Sequence, residues 1–228
     1  MKHNRNVIMI TGANGGLGAA VTAVFLETSA VAAVARSTMG APSDHFLPLS
    51  AELSNLEQAR SAVSAVIAKW GRIDALVHLV GGFVGGTPVA DSDDDALERM
   101  LDLNLRTAYA MLRAVLPVMR EQSSGRIIAI GSRTAVEPVP GLGVYSASKA
   151  ALVSLVRTVA LENKDRGITA NVVLPGTLDT PANRAAMPDA DPKLWVQPRE
   201  IATLLLYLAS ADASQITGAV IPVYGIGA

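Results

Sequence analysis

Residues 7–21 read Val7-Ile8-Met9-Ile10-Thr11-Gly12-Ala13-Asn14-Gly15-Gly16-Leu17-Gly18-Ala19-Ala20-Val21. The short aliphatic run at the start predicts a buried strand, and the small and apolar residues after the glycines predict a helix. Glycines at a strand-to-helix turn permit positive φ and allow the backbone to approach a ligand closely. The N–H groups at the start of the helix are then free to bind a pyrophosphate. The stretch therefore predicts the first βα unit of an α/β domain, with a dinucleotide site at its turn.

Aliphatic runs and helix-like segments alternate along the rest of the chain, which predicts repeated βα units. Strands are expected near 7–11, 31–35, 46–49, 74–80, 126–131, 168–174 and 219–223, and helices near 16–28, 54–69, 93–120, 144–164 and 198–210. The spacing of Ser54 and Glu57 predicts a capping box at the start of the helix near 54–69. Since no repeat or linker divides the chain, residues 1–228 are expected to form one domain.

The composition excludes several functional classes. Half of the 228 residues are hydrophobic but only 4% are aromatic, which suits helices lying closely on a buried parallel sheet. The net charge is −1 and the basic residues are scattered, so neither nucleic acid nor an anionic membrane is an expected partner. No uninterrupted apolar stretch reaches the roughly 18 residues of a membrane span. Because the chain has no cysteine, thiolate and cysteine–metal chemistry are excluded, and a cytoplasmic location is expected.

The end of the second predicted strand bears on the choice of cofactor. An NAD site usually has an acidic residue there to bind the adenosine ribose, whereas this chain has Ala35-Arg36. A guanidinium can make paired hydrogen bonds to a 2′-phosphate. NADP(H) is therefore favoured and NAD(H) stays possible, because Arg36 can also simply end the strand in solvent.

Four residues form a candidate catalytic set. Tyr145 and Lys149 are four apart and share a helical face, so the ammonium is expected to lower the tyrosine pKa, by up to about three units. Tyr145 is the predicted acid–base group. Ser132 follows the strand near 126–131, where its hydroxyl can polarise a substrate carbonyl. Asn104 lies between leucines in a predicted helix, where its amide can bind a neighbouring carbonyl or hold a water that relays protons.

Taken together, these motifs resemble those of the short-chain dehydrogenase/reductase family. Thr11-Gly12-x-x-x-Gly16-x-Gly18, Asn104, Ser132, Tyr145-x-x-x-Lys149 and Pro175-Gly176-x-x-x-Thr180 match in order and spacing, over about residues 7–224. The resemblance implies a single Rossmann-like, doubly wound domain with a seven-stranded parallel sheet in the order 3-2-1-4-5-6-7. It also implies homodimers or homotetramers that assemble through the helices near 93–120 and 144–164.

The resemblance further implies which residues bind the cofactor. Lys149 is expected to bind the nicotinamide ribose, Thr180 the carboxamide, and Glu52-Leu53 to border the adenine. The remaining expected cofactor contacts are Thr11, Gly12, Asn14, Gly15, Gly16, Leu17, Gly18, Gly81, Pro175 and Gly176. One departure is His78-Leu79-Val80-Gly81, where the family commonly has Asn-Asn-Ala-Gly. His78 is interpreted as a buried structural residue, and no metal site is expected.

Two stretches also resemble a narrower group, the dihydropteridine reductases: residues 81–86, and residues 178–195, which include most of an expected lid at 181–197. Dihydropteridine reductases have an acidic residue at the end of the second strand and lack the catalytic serine. Because this chain has Ala35-Arg36 and Ser132 instead, the resemblance alone does not assign it their function. The favoured function is hydride transfer between a nicotinamide cofactor and a small carbonyl or alcohol substrate. Reduction of a pterin or quinonoid ring, and non-catalytic NADP(H) sensing, remain alternatives.

Overall fold

The site is built on a parallel sheet of seven strands. The computed structural model of the protein describes residues 5–37 and 39–226. The strands are β1 (Val7–Thr11), β2 (Ala30–Ala35), β3 (Phe46–Ser50), β4 (Ala75–His78), β5 (Gly125–Ile130), β6 (Ile168–Pro175) and β7 (Val220–Val223). Their order is β3-β2-β1-β4-β5-β6-β7 with every pairing parallel, which confirms the predicted fold. The crevice where ligands bind in such sheets lies where the order reverses, between β1 and β4.

Helices cover both faces of the sheet. They are α1 (Gly16–Leu26), α2 (Leu56–Trp70), α3 (Asp94–Leu101), α4 (Thr107–Gln122), α5 (Gly143–Glu162), α6 (Pro181–Ala186) and α7 (Pro198–Leu208). Single 3₁₀ turns occur at Val89–Asp91, Arg133–Ala135, Lys164–Arg166, Pro192–Leu194 and Ala211–Ala213. The described part of the segment between β2 and β3 contains no helix, as expected from its length.

Strand residues alternate between two apolar cores. Val7 and Met9 of β1 face the core that α2, α4 and α5 cover, whereas Ile8 and Ile10 face the core that α1 and α7 cover. All five residues of β1 are buried, because a parallel sheet with helices on both faces has no solvated side. This arrangement explains why the strands read as continuous aliphatic runs.

The single helix predicted over 93–120 is wrong, because two α-helices are joined there by a π-turn (Asp102–Arg106). The backbone N–H of Thr107 donates to the carbonyl of Asp102, five residues earlier. The π-turn places Asn104 at its centre, fully buried. Such turns inside helices often occur at functional sites.

The predicted capping box at α2 is also wrong. The N-cap is Asn55, whose backbone is extended and whose side-chain oxygen accepts from the N–H groups of Glu57 (2.9 Å) and Gln58 (3.2 Å). Ser54 instead directs its hydroxyl toward the Glu52 carboxylate at 3.3 Å. At α3 the N-cap is Asp93, whose carboxylate accepts from a backbone N–H of the first turn.

Helix α5 has the length and hydropathy of a membrane span, and it is the one described helix that does. Its buried side, which includes Leu152 and Val156, packs in the core of the domain. The small residues Ala147, Ala150 and Ser154 lie on the exposed side, so they do not face the sheet. Some of these residues line an open groove of about 690 Å³ that none of the candidate site residues lines. The homo-oligomer stays a prediction.

Candidate active site

The glycine turn (residues 12–18) is closed by backbone contacts that only glycine allows. Gly12 has φ +72° and donates its N–H to the carbonyl of Val34 in β2 at 2.8 Å. A Cβ on Gly12 would lie 2.9 Å from the backbone nitrogen of Val80, and one on Gly18 would overlap the Gly12 carbonyl oxygen. These two glycines therefore let the turn pass between β2 and the residues after β4.

The start of α1 fits a pyrophosphate. Its N-cap, Gly15, provides no side-chain hydrogen bond, and no acidic residue occupies its first turn. The first N–H groups of the helix consequently face an exposed, uncharged surface at Gly15 and Gly16, which is the donor set that an anion needs. Asn14 ties the turn to the end of β2 through a bond from Nδ2 to Ser37 Oγ (3.0 Å). Leu17 is buried, so any cofactor contact from it involves the backbone.

The end of β2 carries an exposed positive charge. The backbone carbonyl of Arg36 accepts from Ser50 Oγ at 2.8 Å, which positions the residue, and its side chain is exposed. Within residues 5–37 and 39–226, no hydrogen bond or ion pair engages its guanidinium. The neighbouring Ala35 is buried and brings no carboxylate. The guanidinium is therefore available to a phosphate.

Of the two residues predicted to border the adenine, one lies at the surface and the other in the core. Glu52 is exposed, and its backbone N–H donates to Gln58 Oε1 at 2.7 Å. Leu53 is buried within the apolar core beneath α2. Glu52 is thus the member of the pair whose side chain a ligand can reach.

Asn104 fastens the segment after β4 to the π-turn. Its Oδ1 accepts from the N–H of Gly82 (2.9 Å), and its Nδ2 donates to the Gly82 carbonyl (3.1 Å) and to Ser148 Oγ (3.0 Å). Ser148 in turn donates to the carbonyl of Tyr145 at 2.7 Å. Both amide donors are used within the protein, so the expected bond from Asn104 to a neighbouring carbonyl is present, and the relay of protons through a water stays a prediction. We regard Asn104 as a positioning residue.

Lys149 is buried beside Gly81. Its Nζ donates to the carbonyl of Ile130, at the end of β5, at 3.0 Å. Burial lowers its pKa from 10.5 to about 8, so the amine still carries its proton at neutral pH. A Cβ on Gly81 would lie 2.8 Å from Asn104 Oδ1 and 2.9 Å from Lys149 Nζ. Glycine thus allows the exposed backbone at Gly81 to lie directly against the ammonium and the Asn104 amide.

Tyr145 and Ser132 are brought together from α5 and the end of β5. Burial raises the pKa of Tyr145, and a side-chain hydrogen bond with Ser132 acts in the opposite direction but is the smaller effect. The expected net lowering of this pKa by Lys149 is therefore wrong for the protein by itself, because desolvation of the phenolate dominates. Ser132 Oγ also lies 3.1 Å from the hydroxyl of Thr134, which completes a small group of hydroxyls.

His78 is structural, as interpreted. Its Nδ1 lies 2.9 Å from Thr11 Oγ1, and its Nε2 lies 3.4 Å from Thr107 Oγ1. The Thr107 hydroxyl donates to the carbonyl of Leu103 at 2.8 Å, so it accepts from Nε2–H, and Nδ1 accepts from Thr11. Burial, and then the charge of Lys149, lower the His78 pKa from 6.5 to about 3, so the ring is neutral. The Thr11 hydroxyl is thereby committed to His78 rather than to a ligand.

The segment after β6 approaches the glycine turn. Pro175 ends β6, and a Cβ on Gly176 would overlap the carbonyl of Tyr224, so the chain passes close to the end of β7. Thr180 is buried, caps α6, and lies so near the turn that a Cβ on Gly16 would be 2.9 Å from its Cγ2. The residue expected to bind the carboxamide thus sits over the start of α1.

Two sets of contacts near the site were not predicted from the sequence. Asp179 binds both ends of the lid (residues 181–197): its carboxylate accepts from Arg184 Nε (2.6 Å) and from Gln197 Nε2 (3.2 Å). The bond to Arg184 is the main cause that lowers the pKa of Asp179. Phe83 meets the Tyr145 ring edge to face, with centroids 5.0 Å apart. Neither contact has a local sequence signal, since the partners are not neighbours in a helix or strand pattern.

The chain matches known proteins over almost all of its length. The profile of a family described as enoyl-(acyl carrier protein) reductase matches residues 15–225. A short chain dehydrogenase of Penicillium rubens is 30% identical over 243 residues, covering 95% of this chain and 94% of that protein. The 3-oxoacyl-(acyl-carrier-protein) reductase of Thermotoga maritima is 29% identical over 244 residues, covering 99% of this chain and 98% of that protein.

A solved structure agrees with these relatives. The 3-ketoacyl-(acyl-carrier-protein) reductase from Brucella melitensis, crystallised with NADH, superimposes with a TM-score of 0.85 at 27% identity, and each chain is covered to 98%. The resemblance to dihydropteridine reductases stays a prediction. Because the profile and the relatives span nearly the complete chain, and because the fold agrees with that of a solved relative, the protein belongs to the short-chain dehydrogenase/reductase family of NAD(P)-dependent oxidoreductases.

Proposed function

We propose that the protein uses NADP(H) to interconvert a small carbonyl compound and its alcohol, with Tyr145 as the proton donor and acceptor. The observation that carries the proposal is the convergence of the Tyr145 phenol with the Ser132 hydroxyl, one helical turn before the buried Lys149. These groups lie at the carboxyl end of β5, the edge where ligands bind in sheets of this kind. A hydroxyl pair beside a buried ammonium is suited to carbonyl chemistry.

The residues present fit a dinucleotide. The uncapped start of α1 suits the pyrophosphate, the exposed backbone at Gly81 suits the ribose, and the unpaired Arg36 suits a 2′-phosphate. When bound, the nicotinamide supplies or accepts the hydride at the carbonyl carbon. In support of this role, Thr180, which would hold the carboxamide, lies over the start of α1.

The protein's own groups handle the proton and the charge on oxygen. In the reductive direction, Ser132 donates a hydrogen bond to the carbonyl oxygen, and Tyr145 transfers its proton to the same atom. Because burial raises the Tyr145 pKa, the phenolate that forms needs a nearby positive charge, and the protonated Lys149 supplies it. Asn104 keeps Gly82 and Ser148 in place, which fixes the first turn of α5.

Tyr145→Phe tests this function. We expect NADPH-dependent turnover of an accepted ketone to fall by at least about 10³-fold, while NADPH binding measured by fluorescence titration is retained. Tyr109→Phe, which alters an exposed tyrosine on α4, is the matched control and should be fully active. Reduction by Tyr145→Phe at the wild-type rate would contradict the mechanism.

Arg36→Ala tests the cofactor preference. We expect NADPH affinity to fall by about 10- to 100-fold and NADH affinity to stay unchanged, because a charge-assisted bond to the 2′-phosphate is lost. Arg60→Ala, which removes an exposed guanidinium from α2, is the control. A wild-type protein that binds NADH as tightly as NADPH would show that Arg36 does not select the cofactor.

The substrates tested should include ketones, quinones and a quinonoid pterin, because the alternative functions predict different reactivity toward these compounds. Turnover of the pterin alone would favour a dihydropteridine-reductase-like function. Tight NADPH binding with turnover of none would favour the nucleotide-sensing alternative. The structure contains Ser132 and Tyr145 in hydrogen-bonding contact, and a sensor has no need of this pair.

A further inference from the structure

The segment after β4 holds an aromatic ring against the acid–base residue. Residues 81–86 read Gly81-Gly82-Phe83-Val84-Gly85-Gly86. The segment is fixed on both sides of the ring, at Gly82 by the two bonds to Asn104 and at Gly86 by a bond from its N–H to the carbonyl of Gly141 (2.9 Å). Its central ring is therefore held in place by backbone contacts and does not hang from a free loop.

Phe83 packs on one side and is open on the other. Its ring meets that of Tyr145 at 5.0 Å with an interplanar angle of 72°, and it lies so close to Leu142 that a Cβ on Gly85 would overlap both side chains. The side chain is nevertheless 63% exposed. A large aromatic group gains from burial, so one that is fixed, exposed and in contact with a catalytic phenol has the properties of a ligand-binding surface.

The charged side chains that neighbour Ser132 and Tyr145 in the chain already have partners. Arg133, which follows Ser132, donates to Glu137 at 2.7 Å and stacks on the ring of Tyr224 at 4.8 Å. Lys149 is buried and bound to the carbonyl of Ile130. A charged group on the substrate would therefore find no free partner among these side chains. A flat, uncharged group would find the face of Phe83 and the methyl groups of Leu142.

We propose that Phe83, backed by Leu142, binds an aromatic ring attached directly to the reacting carbonyl, so that the preferred substrates are uncharged aryl ketones or aldehydes. This inference rests on the proposed function, since it assumes that Tyr145 protonates the carbonyl oxygen. A ring conjugated to the carbonyl is coplanar with it and lies within a few ångströms of the oxygen that Tyr145 protonates. The exposed ring of Phe83, whose centroid is 5.0 Å from that of Tyr145, is then within reach of the substrate ring. Phe83 is then a specificity-determining residue.

Two ketones of similar size distinguish recognition of a flat aromatic ring from binding of any apolar ring. The probes are acetophenone and cyclohexyl methyl ketone, assayed with NADPH for the wild type, Phe83→Ala and Phe83→Leu. We expect Phe83→Ala to lower kcat/KM for acetophenone by about 10- to 100-fold, mainly through KM, because a buried aromatic contact is lost. Phe83→Leu should keep more activity on the cyclohexyl ketone than on acetophenone. Since Phe83 is largely exposed, both variants should fold.

Tyr207→Ala is the matched control, because it removes a 46% exposed aromatic ring from α7, outside the candidate site and the predicted oligomer helices, and it should leave both kcat/KM values unchanged. An acetoacetyl thioester is the third probe. Equal kcat/KM for acetophenone in Phe83→Ala and wild type would overturn the inference. So would Tyr145-dependent turnover of the thioester with no turnover of either ketone, although the proposed function would then stand. Absence of Tyr145-dependent turnover with every carbonyl probe would instead overturn the proposed function.

Discussion

Replacement of Lys149 with methionine is expected to make the protein more stable at pH 7, although it removes a group that the reaction needs. The buried ammonium has a pKa of about 8 in the folded protein against an ordinary value of 10.5. At about 1.4 kcal/mol per pKa unit, keeping this group charged at pH 7 costs the folded state about 3 kcal/mol. Methionine fills a similar volume without charge, but it leaves the Ile130 carbonyl without its donor, at a cost of about 1–2 kcal/mol. The net gain is then about 1–2 kcal/mol.

The pH dependence of unfolding provides the sharper measurement. Between pH 8 and 10.5 the unfolded chain keeps a proton on this lysine that the folded protein releases, so the free energy of unfolding should rise with pH in the wild type. Urea unfolding of the cofactor-free protein at pH 7 and pH 9.5 would detect the rise, and Lys149→Met should lack it. Lys164→Met, which changes an exposed lysine just after α5, should keep the wild-type rise. A variant that is less stable than wild type at pH 7, and that has an unchanged pH dependence, would refute the argument.

Three further predictions concern the turn, the lid and the buried histidine. Gly18→Ala should lower the free energy of unfolding by about 3 kcal/mol, because the added methyl group overlaps a backbone carbonyl. Gly15→Ala should lower it by less than about 1 kcal/mol, because the nearest atom to its methyl group would be 3.3 Å away. Urea unfolding of the two variants tests the difference. Asp179→Asn should speed proteolytic cleavage within the lid, because the carboxylate that binds both ends of the lid loses its charge. The control Asp189→Asn should be cleaved at the wild-type rate. Equal cleavage rates for the two variants would contradict the role of Asp179. His78→Leu should cost about 1–3 kcal/mol of stability, since it leaves the buried Thr11 hydroxyl without its partner, whereas Thr107 keeps its bond to the Leu103 carbonyl. The pH profile of kcat above pH 5 should show no ionisation of His78 in the wild type.

The strands and the location of the site could be predicted because both follow from local patterns, whereas the order of the strands was predicted from the family resemblance. The aliphatic runs identify the strands, and the glycines mark where the chain must turn tightly after β1. In a parallel sheet the residues that follow successive strands meet at one edge, which is why Ser132 could be placed near the glycine turn from the sequence. The buried, structural nature of His78 was also predicted, since a histidine in an apolar strand is often buried.

The features that could not be predicted depend on partners distant in the chain. The helical periodicity over 93–120 gives no sign of the π-turn, whose central Asn104 is bonded to Gly82, 22 residues earlier. The direction of the Tyr145 pKa depends on how deeply the phenol is buried, and this burial is set by packing rather than by the spacing to Lys149. At α2 both Ser54 and Asn55 are residues that cap helices, and only the backbone conformation decides which one does so.

The π-turn at Asp102–Arg106 has a consequence for how the chain can tolerate insertions and deletions. Successive residues of an α-helix are rotated by about 100° around the helix axis. The extra residue in the π-turn therefore rotates the side chains of α4 relative to those of α3, compared with an uninterrupted helix. Deleting one residue there would allow an uninterrupted helix with better backbone geometry, but it would rotate the Asn104 amide away from Gly82 and Ser148. A one-residue deletion at this point would thus keep the fold but disrupt the active site. In-frame insertions and deletions should therefore be far rarer here than in the loops at the same edge of the sheet.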